Sequence, residues 1–465
     1  MVVRTLLVWV TLAVAALPLS AQQPSSEWER LARDIFQELV EINTSHSVGG
    51  TLEASEAMAQ RLRAAGFAEE DVVVTEVAPR EGNLVARLRG RSTGARPLLL
   101  LAHIDVVEAN PEDWTLPPFE FIERDGTFYG RGVADNKDEA AIYVTNLIRM
   151  KREGFTPERD IIVALTADEE GGEHNGVEWL LENRPELIDA EFAFNEGGGG
   201  TLQGETRISN NVQASEKKYQ NFTVEATNPG GHSSLPRPDN AIYELSRALI
   251  AIGGYEHPVR LNEVTRAYFS RTAELVDAET GAMIRRVLAD PGDAEAVRAL
   301  AREPGYNSRL RTTCVATLLD GGHAPNALPQ RATANVNCRI LPDEEPEAVL
   351  ARLQEVVGTA EVTVRMEGRA RNSPPSPLTP EILGTIEQVT EEMWPGVPVV
   401  PIMSTGATDA LYLRNAGMPV YGVSGLFYEN PNSHGMNESI PVRSFYEGLE
   451  FLYRLVERLS TPNVS

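Results

Sequence analysis

Runs of consecutive apolar residues predict buried strands in the N-terminal half of the chain. Residues 98–102 are five apolar residues in succession, as in a parallel strand with helices on both sides. Shorter runs at 161–166 and 191–195 predict two more strands, and acidic residues follow each of them directly. Ligands of open α/β sheets bind outside the carboxyl ends of strands, so we expect the polar residues after these three strands to converge.

The remaining pattern predicts helices around this sheet and a second module inserted into it. Residues 27–41 and 52–65 have apolar positions at helical spacing. From about residue 219 the chain alternates short strands with helices, which indicates an inserted α+β module over 219–368. The α/β domain would then consist of residues 22–218 and 369–465. The charge-rich helical stretch 255–311 is interpreted as a surface elaboration of the insert.

Residues 1–21 have the pattern of a secretory signal. A charged start at Arg4 precedes an apolar core over 6–17, Pro18 interrupts it, and Ala21 precedes the expected cleavage point. The run is shorter than the roughly 18 apolar residues that a membrane span needs. We therefore expect an exported protein, periplasmic or secreted, with an uncleaved membrane anchor as the alternative.

Composition narrows the classes of partner and of metal site. The net charge of −25 and the lack of a basic stripe argue against nucleic acid or an anionic membrane as partner. Cys314 and Cys338 are the only cysteines, so a cysteine-based zinc site is excluded. They lie on two predicted neighbouring strands, and whether they form a disulfide depends on the strand register. Any metal must be held by histidine, aspartate and glutamate.

Candidate chemistry follows the three predicted strands. His103 and Asp105 share one face of a strand, so the Asp105 carboxylate is expected to approach the His103 ring and fix its tautomer. The alternative is an ordinary polar strand end. Glu169 and Glu170 follow the second strand and Glu196 the third. A solvated acidic turn is the alternative for the glutamate pair.

Motifs along the chain resemble one enzyme family. They occur in the order LAHIDVV, YGRGVADNK, TADEEGG, FNEGG, GGHSS, GGHAPNALP, CRILP, GATDA and NSHG. Together they resemble the co-catalytic zinc peptidases of peptidase family M20, which include carboxypeptidase G, carnosinase and aminoacylase. The resemblance implies a three-layer αβα zinc-exopeptidase catalytic domain, discontinuous in sequence, with an inserted two-layer α+β dimerisation or lid domain.

The resemblance also implies two zinc ions per chain. His103 and Glu196 would hold one ion, Glu170 and His434 the other, and Asp135 would bridge them, with a cis peptide bond after Asp135. Cobalt or manganese fits the same mixture of imidazole and carboxylate ligands.

Further roles are implied for residues that are not metal ligands. Glu169 would be the general base for a hydroxide held between the metals, and Asp105 would orient His103. His232, on the inserted module, would reach the partner's active site in a homodimer and stabilise the oxyanion there. Asn326 and Arg339 would bind the substrate carboxylate.

The resulting prediction is a zinc-dependent metallopeptidase that cleaves small peptides next to a free C-terminal carboxylate. An N-acyl amino acid amidohydrolase of the aminoacylase type is the first alternative, because both substrates present an amide beside a carboxylate. A catalytically inactive binding module is the second. A serine hydrolase is excluded by the lack of a G-x-S-x-G motif, and the glycine run 197–200 lacks the G-K-[ST] of a phosphate loop.

Overall fold

The computed structural model describes residues 26–92, 94–358 and 361–461. The predicted leader, residues 1–21, lies outside them, so export stays a prediction. The described helices are α1 (Glu27–Glu41), α2 (Thr51–Ala64), α3 (Lys137–Glu153), α4 (Gly176–Asn183), α5 (Pro185–Ile188), α6 (Ala241–Gly254), α7 (Glu263–Thr272), α8 (Ala278–Ala289), α9 (Ala294–Leu300), α10 (Pro304–Leu310), α11 (Pro346–Val357), α12 (Pro380–Met393), α13 (Ala410–Asn415) and α14 (Val442–Leu459). The described strands are β1 (Val72–Ala78), β2 (Glu81–Leu88), β3 (Leu98–His103), β4 (Ile122–Arg124), β5 (Thr127–Tyr129), β6 (Ile161–Thr166), β7 (Phe192–Asn195), β8 (Gly199–Gln203), β9 (Thr206–Glu216), β10 (Lys218–Thr227), β11 (Gly231–His232), β12 (Thr313–Gly321), β13 (Ala327–Leu328), β14 (Arg331–Ile340), β15 (Val362–Glu367), β16 (Val399–Ser404), β17 (Val420–Gly422), β18 (Phe427–Tyr428) and β19 (Ser439–Pro441).

A mixed ten-stranded sheet forms the middle layer of the α/β domain. Its order is β1-β2-β6-β3-β7-β17-β9-β8-β18, with β16 paired to β9. Strand β3 runs parallel to β6 on one side and to β7 on the other. Its alternate residues enter two different cores, Leu98 and Leu100 on one face and Leu99 and Leu101 on the other. The sheet is therefore covered on both faces, which confirms the predicted αβα fold class.

Helices from the two ends of the described chain pack together in one outer layer. A capping box starts α1: the Ser26 hydroxyl accepts from the amide of Glu29, and the Glu29 carboxylate accepts from the amide of Ser26. The Phe36 ring of α1 stacks on Phe445 of α14 at 4.6 Å between centroids. The described segments contain no helix long and apolar enough to cross a bilayer.

A smaller four-stranded antiparallel sheet lies within the segment predicted as an insert. Its order is β12-β14-β10-β15, and α6 and α11 cover one face, where Phe222 and Val336 are fully buried. Cys314 of β12 and Cys338 of β14 are directly paired and form a disulfide, with their Cα atoms 4.1 Å apart. The other face of this sheet carries mainly polar side chains, among them Asn221, Glu225 and Asn335.

Helices α7 to α10 lie between β11 and β12 in the sequence and form a compact helical unit. Phe269 and Ile284 are buried in a small core of its own. Helix α7 also packs on β16 of the large sheet, since Val264 joins the large core and Arg271 pairs with Glu387 of α12 at 2.8 Å. This unit thus rests on the α/β domain as well as extending the insert.

The passage of the chain between the two sheets is fixed by a buried ion pair. The Glu216 carboxylate, at the end of β9, lies 3.0 Å from the Arg414 guanidinium, and both side chains are buried. Glu216 also accepts hydrogen bonds from the Ser373 hydroxyl at 2.6 Å and from the Thr408 amide at 3.0 Å. The two segments that connect the sheets, near Glu216 and near Ser373, are therefore joined at the Glu216 carboxylate.

Candidate metal centre

Three parallel strands bring their polar ends together, as their apolar pattern predicted. His103 is the last residue of β3 and pairs in register with Thr166, the last residue of β6. Glu169 and Glu170 follow β6 after a short turn, and Glu196 follows β7 directly. Neighbouring parallel strands end at the same edge of the sheet, so these side chains meet there.

Asp135 lies between two histidines that come from distant parts of the chain. One of its carboxylate oxygens, Oδ1, is 3.0 Å from Nε2 of His103. The other, Oδ2, is 3.1 Å from Nε2 of His434. Asp135 precedes Asn136, the N-cap residue of α3, and the peptide bond between these two residues is cis, as the family resemblance implied. One carboxylate thus presents a separate oxygen to each imidazole.

The remaining acids are divided between the two histidines. Glu170 Oε1 lies 2.9 Å from Nε2 of His434, and Glu196 Oε2 lies 3.7 Å from Nε2 of His103. Two groups of three residues share His103, and within each group the possible ligand atoms lie within 4.8 Å of one another. They are His103 with Asp135 and Glu170, and His103 with Glu169 and Glu196.

The surrounding carboxylates raise the pKa of both histidines. Burial lowers the pKa of the His103 imidazole, but Glu196 and the other neighbouring carboxylates raise it well above its usual value. Hydrogen bonds to Asp135 and Glu170 raise the pKa of His434 to about 10. The His434 side chain is 54% exposed and that of His103 only 1%, so solvent reaches the cluster from the His434 side.

Negative charge is in excess in this cluster. Burial, reinforced by Glu196, raises the pKa of Glu169 well above its usual value, and burial also raises the pKa of Glu196. Burial would raise the pKa of Asp135 as well, but hydrogen bonds to the two imidazoles hold it far below its usual value. Within residues 26–92, 94–358 and 361–461, no lysine or arginine forms an ion pair with the acids of the cluster, which are Asp105, Asp135, Glu169, Glu170 and Glu196.

These donors fit divalent metal ions. Imidazole nitrogen and carboxylate oxygen are the ligands that zinc, cobalt and manganese accept, and a carboxylate between two histidines is placed to bridge two cations. Bound cations would also neutralise carboxylates that otherwise repel each other.

The Asp105 carboxylate approaches the His103 ring, as the sequence predicted, and it also supports the glutamate turn. The backbone carbonyl of Asp105, rather than its carboxylate, is nearest to Nδ1 of His103, at 3.1 Å against 3.6 Å. The carboxylate also accepts hydrogen bonds from the backbone amides of Glu169 at 3.1 Å and Glu170 at 2.9 Å. The chain turns after β3, which brings the carbonyl to the ring and directs the side chain towards the glutamate turn.

The turn that carries the two glutamates is folded around Asp168. This residue has φ +65°, and its carboxylate accepts from the amide of His174 at 2.7 Å. Gly172 packs so closely that a Cβ there would coincide with the Asp168 carboxylate. Asn175 caps α4, and its side-chain amide donates to the buried Asp409 carboxylate at 2.6 Å.

A second support joins the segments that carry Asp135 and His434. The buried Glu438 carboxylate accepts from the Arg131 guanidinium at 2.5 Å and from the amide of Ala134 at 2.8 Å. Arg131 also donates to the carbonyl of His434 at 3.2 Å. Glu438 and Asp409 were not predicted as site residues, although Asp409 lies in the GATDA motif and Glu438 follows the NSHG motif closely.

The other predicted residues lie apart from the cluster on the inserted segment. His232 on β11 is exposed, and its ring Nδ1 contacts the Ser234 hydroxyl at 2.7 Å. Asn326 is its neighbour, since the Asn326 carbonyl accepts from the amide of Ser233 at 3.0 Å. The guanidinium carbon of Arg339 lies 4.7 Å from the ring centroid of Tyr219. Among the described residues, none of these three side chains forms a hydrogen bond or an ion pair with the histidines and acids of the cluster.

The chain belongs to peptidase family M20/M25/M40, whose family model matches residues 99–458. It is 27% identical over 387 residues to human N-fatty-acyl-amino acid synthase/hydrolase PM20D1, covering 80% of this chain and 76% of that protein. It is 26% identical over 388 residues to probable carboxypeptidase S-like 2 of Dictyostelium discoideum, covering 81% of this chain and 74% of that protein. The fold resembles the metallo-carboxypeptidase Sso-CP2 of Sulfolobus solfataricus, with a TM-score of 0.68 and 17% identity over 92% of this chain and 99% of that one. The chain is thus a hydrolase of a metal-dependent family.

Substituting Gly172 with alanine tests the support of the glutamate turn. The added methyl group would displace the Asp168 carboxylate and with it Glu169 and Glu170, so we expect metal affinity to fall by about 10- to 100-fold. Equilibrium metal titration with a chromophoric chelator measures this change. Glu173→Ala, an exposed substitution in the same turn, should leave the affinity unchanged. Equal affinities of Gly172→Ala and Glu173→Ala would contradict this role of the turn.

Proposed function

We propose that this protein is a dinuclear zinc-dependent peptidase that hydrolyses an amide bond next to a free C-terminal carboxylate. The observation that carries the proposal is the position of Asp135, with one oxygen towards His103 and the other towards His434. In this assignment His103 and Glu196 hold one ion, and Glu170 and His434 hold the other. Cobalt or manganese would satisfy the same ligands.

The bound ions would supply Lewis acidity, which polarises the scissile carbonyl and acidifies water. Glu169 is the general base in this proposal. Its backbone is held by Asp105, while within the described segments no residue donates a hydrogen bond to its carboxylate. That carboxylate is free to take a proton from the attacking water as the C–O bond forms. It then gives the proton to the leaving nitrogen as the C–N bond breaks.

Substrate recognition would come from the inserted segment. The Arg339 guanidinium offers two parallel N–H groups to a carboxylate, and the Asn326 side-chain amide offers further donors. His232 would donate to the oxyanion that forms on the scissile carbonyl. Each of these side chains is exposed or half-buried, as a residue that must meet a substrate has to be.

A homodimer is proposed because His232 lies on a two-stranded ribbon, which Asn326 directly precedes at β13, and this ribbon contributes no ligand to the metal centre. A two-fold dimer would bring the ribbon of each chain to the other chain's centre. The free edge of the small sheet supports this arrangement. Strand β12 lies at that edge, and its residues Val315, Leu318 and Leu319 are exposed apolar side chains that a second chain would cover.

N-acyl amino acids are the second candidate substrates, favoured by the similarity to PM20D1. They share the amide and the carboxylate with peptides and differ only on the acyl side. The carboxypeptidase S-like relative favours peptides at a comparable identity. Both substrate classes therefore belong in the assay of function.

Glu169→Gln tests the general base. Wild-type protein with zinc should hydrolyse dipeptides with a free carboxylate, and faster than N-acyl amino acids. Glutamine cannot take the proton, so kcat should fall by about 10²- to 10⁴-fold while metal content stays unchanged. Kinetics and elemental analysis of the same preparations measure both quantities.

The control for this test is Glu173→Gln, an exposed carboxylate in the same turn, which should keep wild-type kcat. A near-normal kcat in Glu169→Gln would remove Glu169 from its role. Wild-type protein that binds zinc but cleaves neither substrate class would support an inactive binding module instead.

Mixing two inactive variants tests the exchange of His232 between chains. Glu169→Gln and His232→Ala chains, refolded together, should give mixed dimers in which one of the two sites has both residues intact. With random pairing, about a quarter of wild-type activity should return. Mixed dimers shown by mass spectrometry but lacking activity would contradict a role of His232 in the partner's site.

A further inference from the structure

Arg339 has a fixed backbone and a side chain that lacks polar partners. Its main chain pairs with Tyr219 of β10 on one side and with Thr313 of β12 on the other. The preceding residue, Cys338, is tied to Cys314 by the disulfide. Within the described segments, however, the Arg339 guanidinium makes no hydrogen bond or ion pair, and its contact is with the Tyr219 ring.

The other arginines on the same face of the small sheet are paired. Arg331 and Arg365 both approach the Glu225 carboxylate, each at 3.5 Å. Arg339 lies at the opposite end of that face, where no carboxylate of the described residues forms an ion pair with it. It is half-buried, and burial lowers the pKa of its guanidinium. A partly desolvated cation without an anion is a place where an incoming anion gains a strong interaction.

The Tyr219 ring is itself held in place by the sheet. The side-chain amide of Asn221 donates to the Tyr219 hydroxyl at 3.2 Å. The Asn221 side-chain oxygen in turn accepts from the side-chain amides of Asn337 at 2.9 Å and Asn335 at 3.3 Å. This row of asparagines holds the hydroxyl end of the Tyr219 ring. Within the described segments, the N–H groups of Arg339 have no hydrogen-bond acceptor.

The Tyr219 and Arg339 pair lies at the end of the small sheet where the chain passes from β9 of the large sheet into β10. Strand β10 begins two residues after Glu216, whose carboxylate accepts from the Thr408 hydroxyl at 3.0 Å. The Asn195 side chain contacts the same hydroxyl at 3.5 Å, and Asn195 directly precedes Glu196. These hydrogen bonds link the end of β9, from which β10 continues, to the end of β7.

We infer that Tyr219 is a positioning residue. Its ring holds the Arg339 guanidinium in place, so that the N–H groups remain free to bind the substrate carboxylate. The inference rests on the proposed role of Arg339 in carboxylate binding. A long arginine side chain loses conformational freedom when it binds an anion, and a stacked ring restricts it beforehand. Stacking occupies the face of the guanidinium and leaves its N–H groups for bidentate binding.

The test compares an acid with its amide. N-acetyl-L-leucine and N-acetyl-L-leucinamide differ only in the carboxylate, and calorimetry gives a Kd for each in a Glu169→Gln background, where turnover is blocked. Tyr219→Leu should weaken binding of the acid by about three- to tenfold, the range of a partly buried cation–π contact, and leave the amide unchanged. Tyr219→Phe keeps the ring and should stay within about twofold of the parent.

Two further variants make the outcomes distinct. Tyr255→Leu removes another stack in the insert, with Arg352 at 6.0 Å, and should change neither Kd. Arg339→Ala should abolish the preference for acid over amide. If Arg339→Ala abolishes it and Tyr219→Leu leaves it intact, the positioning role is wrong and the proposed function stands.

The remaining outcomes are equally decisive. Equal weakening of acid and amide by Tyr219→Leu would mean that the ring contacts the body of the ligand, and the positioning role is again wrong. A parent that binds acid and amide equally, or an Arg339→Ala variant that keeps the preference, would overturn the carboxylate role of Arg339 and the inference with it. Tyr219 is 49% exposed, so its substitution should leave the fold intact, which thermal unfolding checks.

Discussion

Mutual repulsion among the acids at the strand ends is the constraint on which the structure depends. Two like charges about 4 Å apart repel by about 4 kcal/mol at the effective dielectric constant near a protein surface, and several such pairs meet here. Strands β3, β6 and β7 run parallel and end together, so the fold itself forces these carboxylates into one place. Cations between them turn the repulsion into attraction. Metal binding and the stability of this edge of the sheet are therefore linked.

Buried carboxylates that are not proposed metal ligands hold the loops of the centre by accepting hydrogen bonds from main-chain N–H groups. Asp105 accepts from the glutamate pair, Asp168 from the end of the same turn, Glu438 from the segment before Asp135, and Glu216 from the Thr408 amide. Backbone amides stabilise negative charge without adding side chains that would compete for the metals. These hydrogen bonds hold the loops on the buried side of the cluster, and the side at His434 remains open to solvent.

Much of this arrangement could be predicted from the sequence, and what could not depends on long-range contacts. The apolar run of β3 predicted a strand covered on both faces, and the polar ends of three strands predicted their convergence. The alternation of His103 and Asp105 predicted that the carboxylate approaches the ring, which it does at 3.6 Å, but it carried no information on the turn after the strand, which adds the carbonyl contact and the bonds to the glutamate amides. Glu438 was missed because its partner Arg131 is 307 residues away. The disulfide was left open because only the register of β12 on β14 decides it, and the structure confirms it.

The most direct test of the central claim is anomalous X-ray diffraction, at energies on both sides of the zinc absorption edge, from crystals of the zinc-loaded protein. Two peaks about 3.5–4 Å apart are expected, one on each side of the Asp135 carboxylate. One peak should lie beside His103 and Glu196 and the other beside His434 and Glu170. A single peak, or two peaks of which only one contacts Asp135, would contradict a dinuclear centre bridged by this residue.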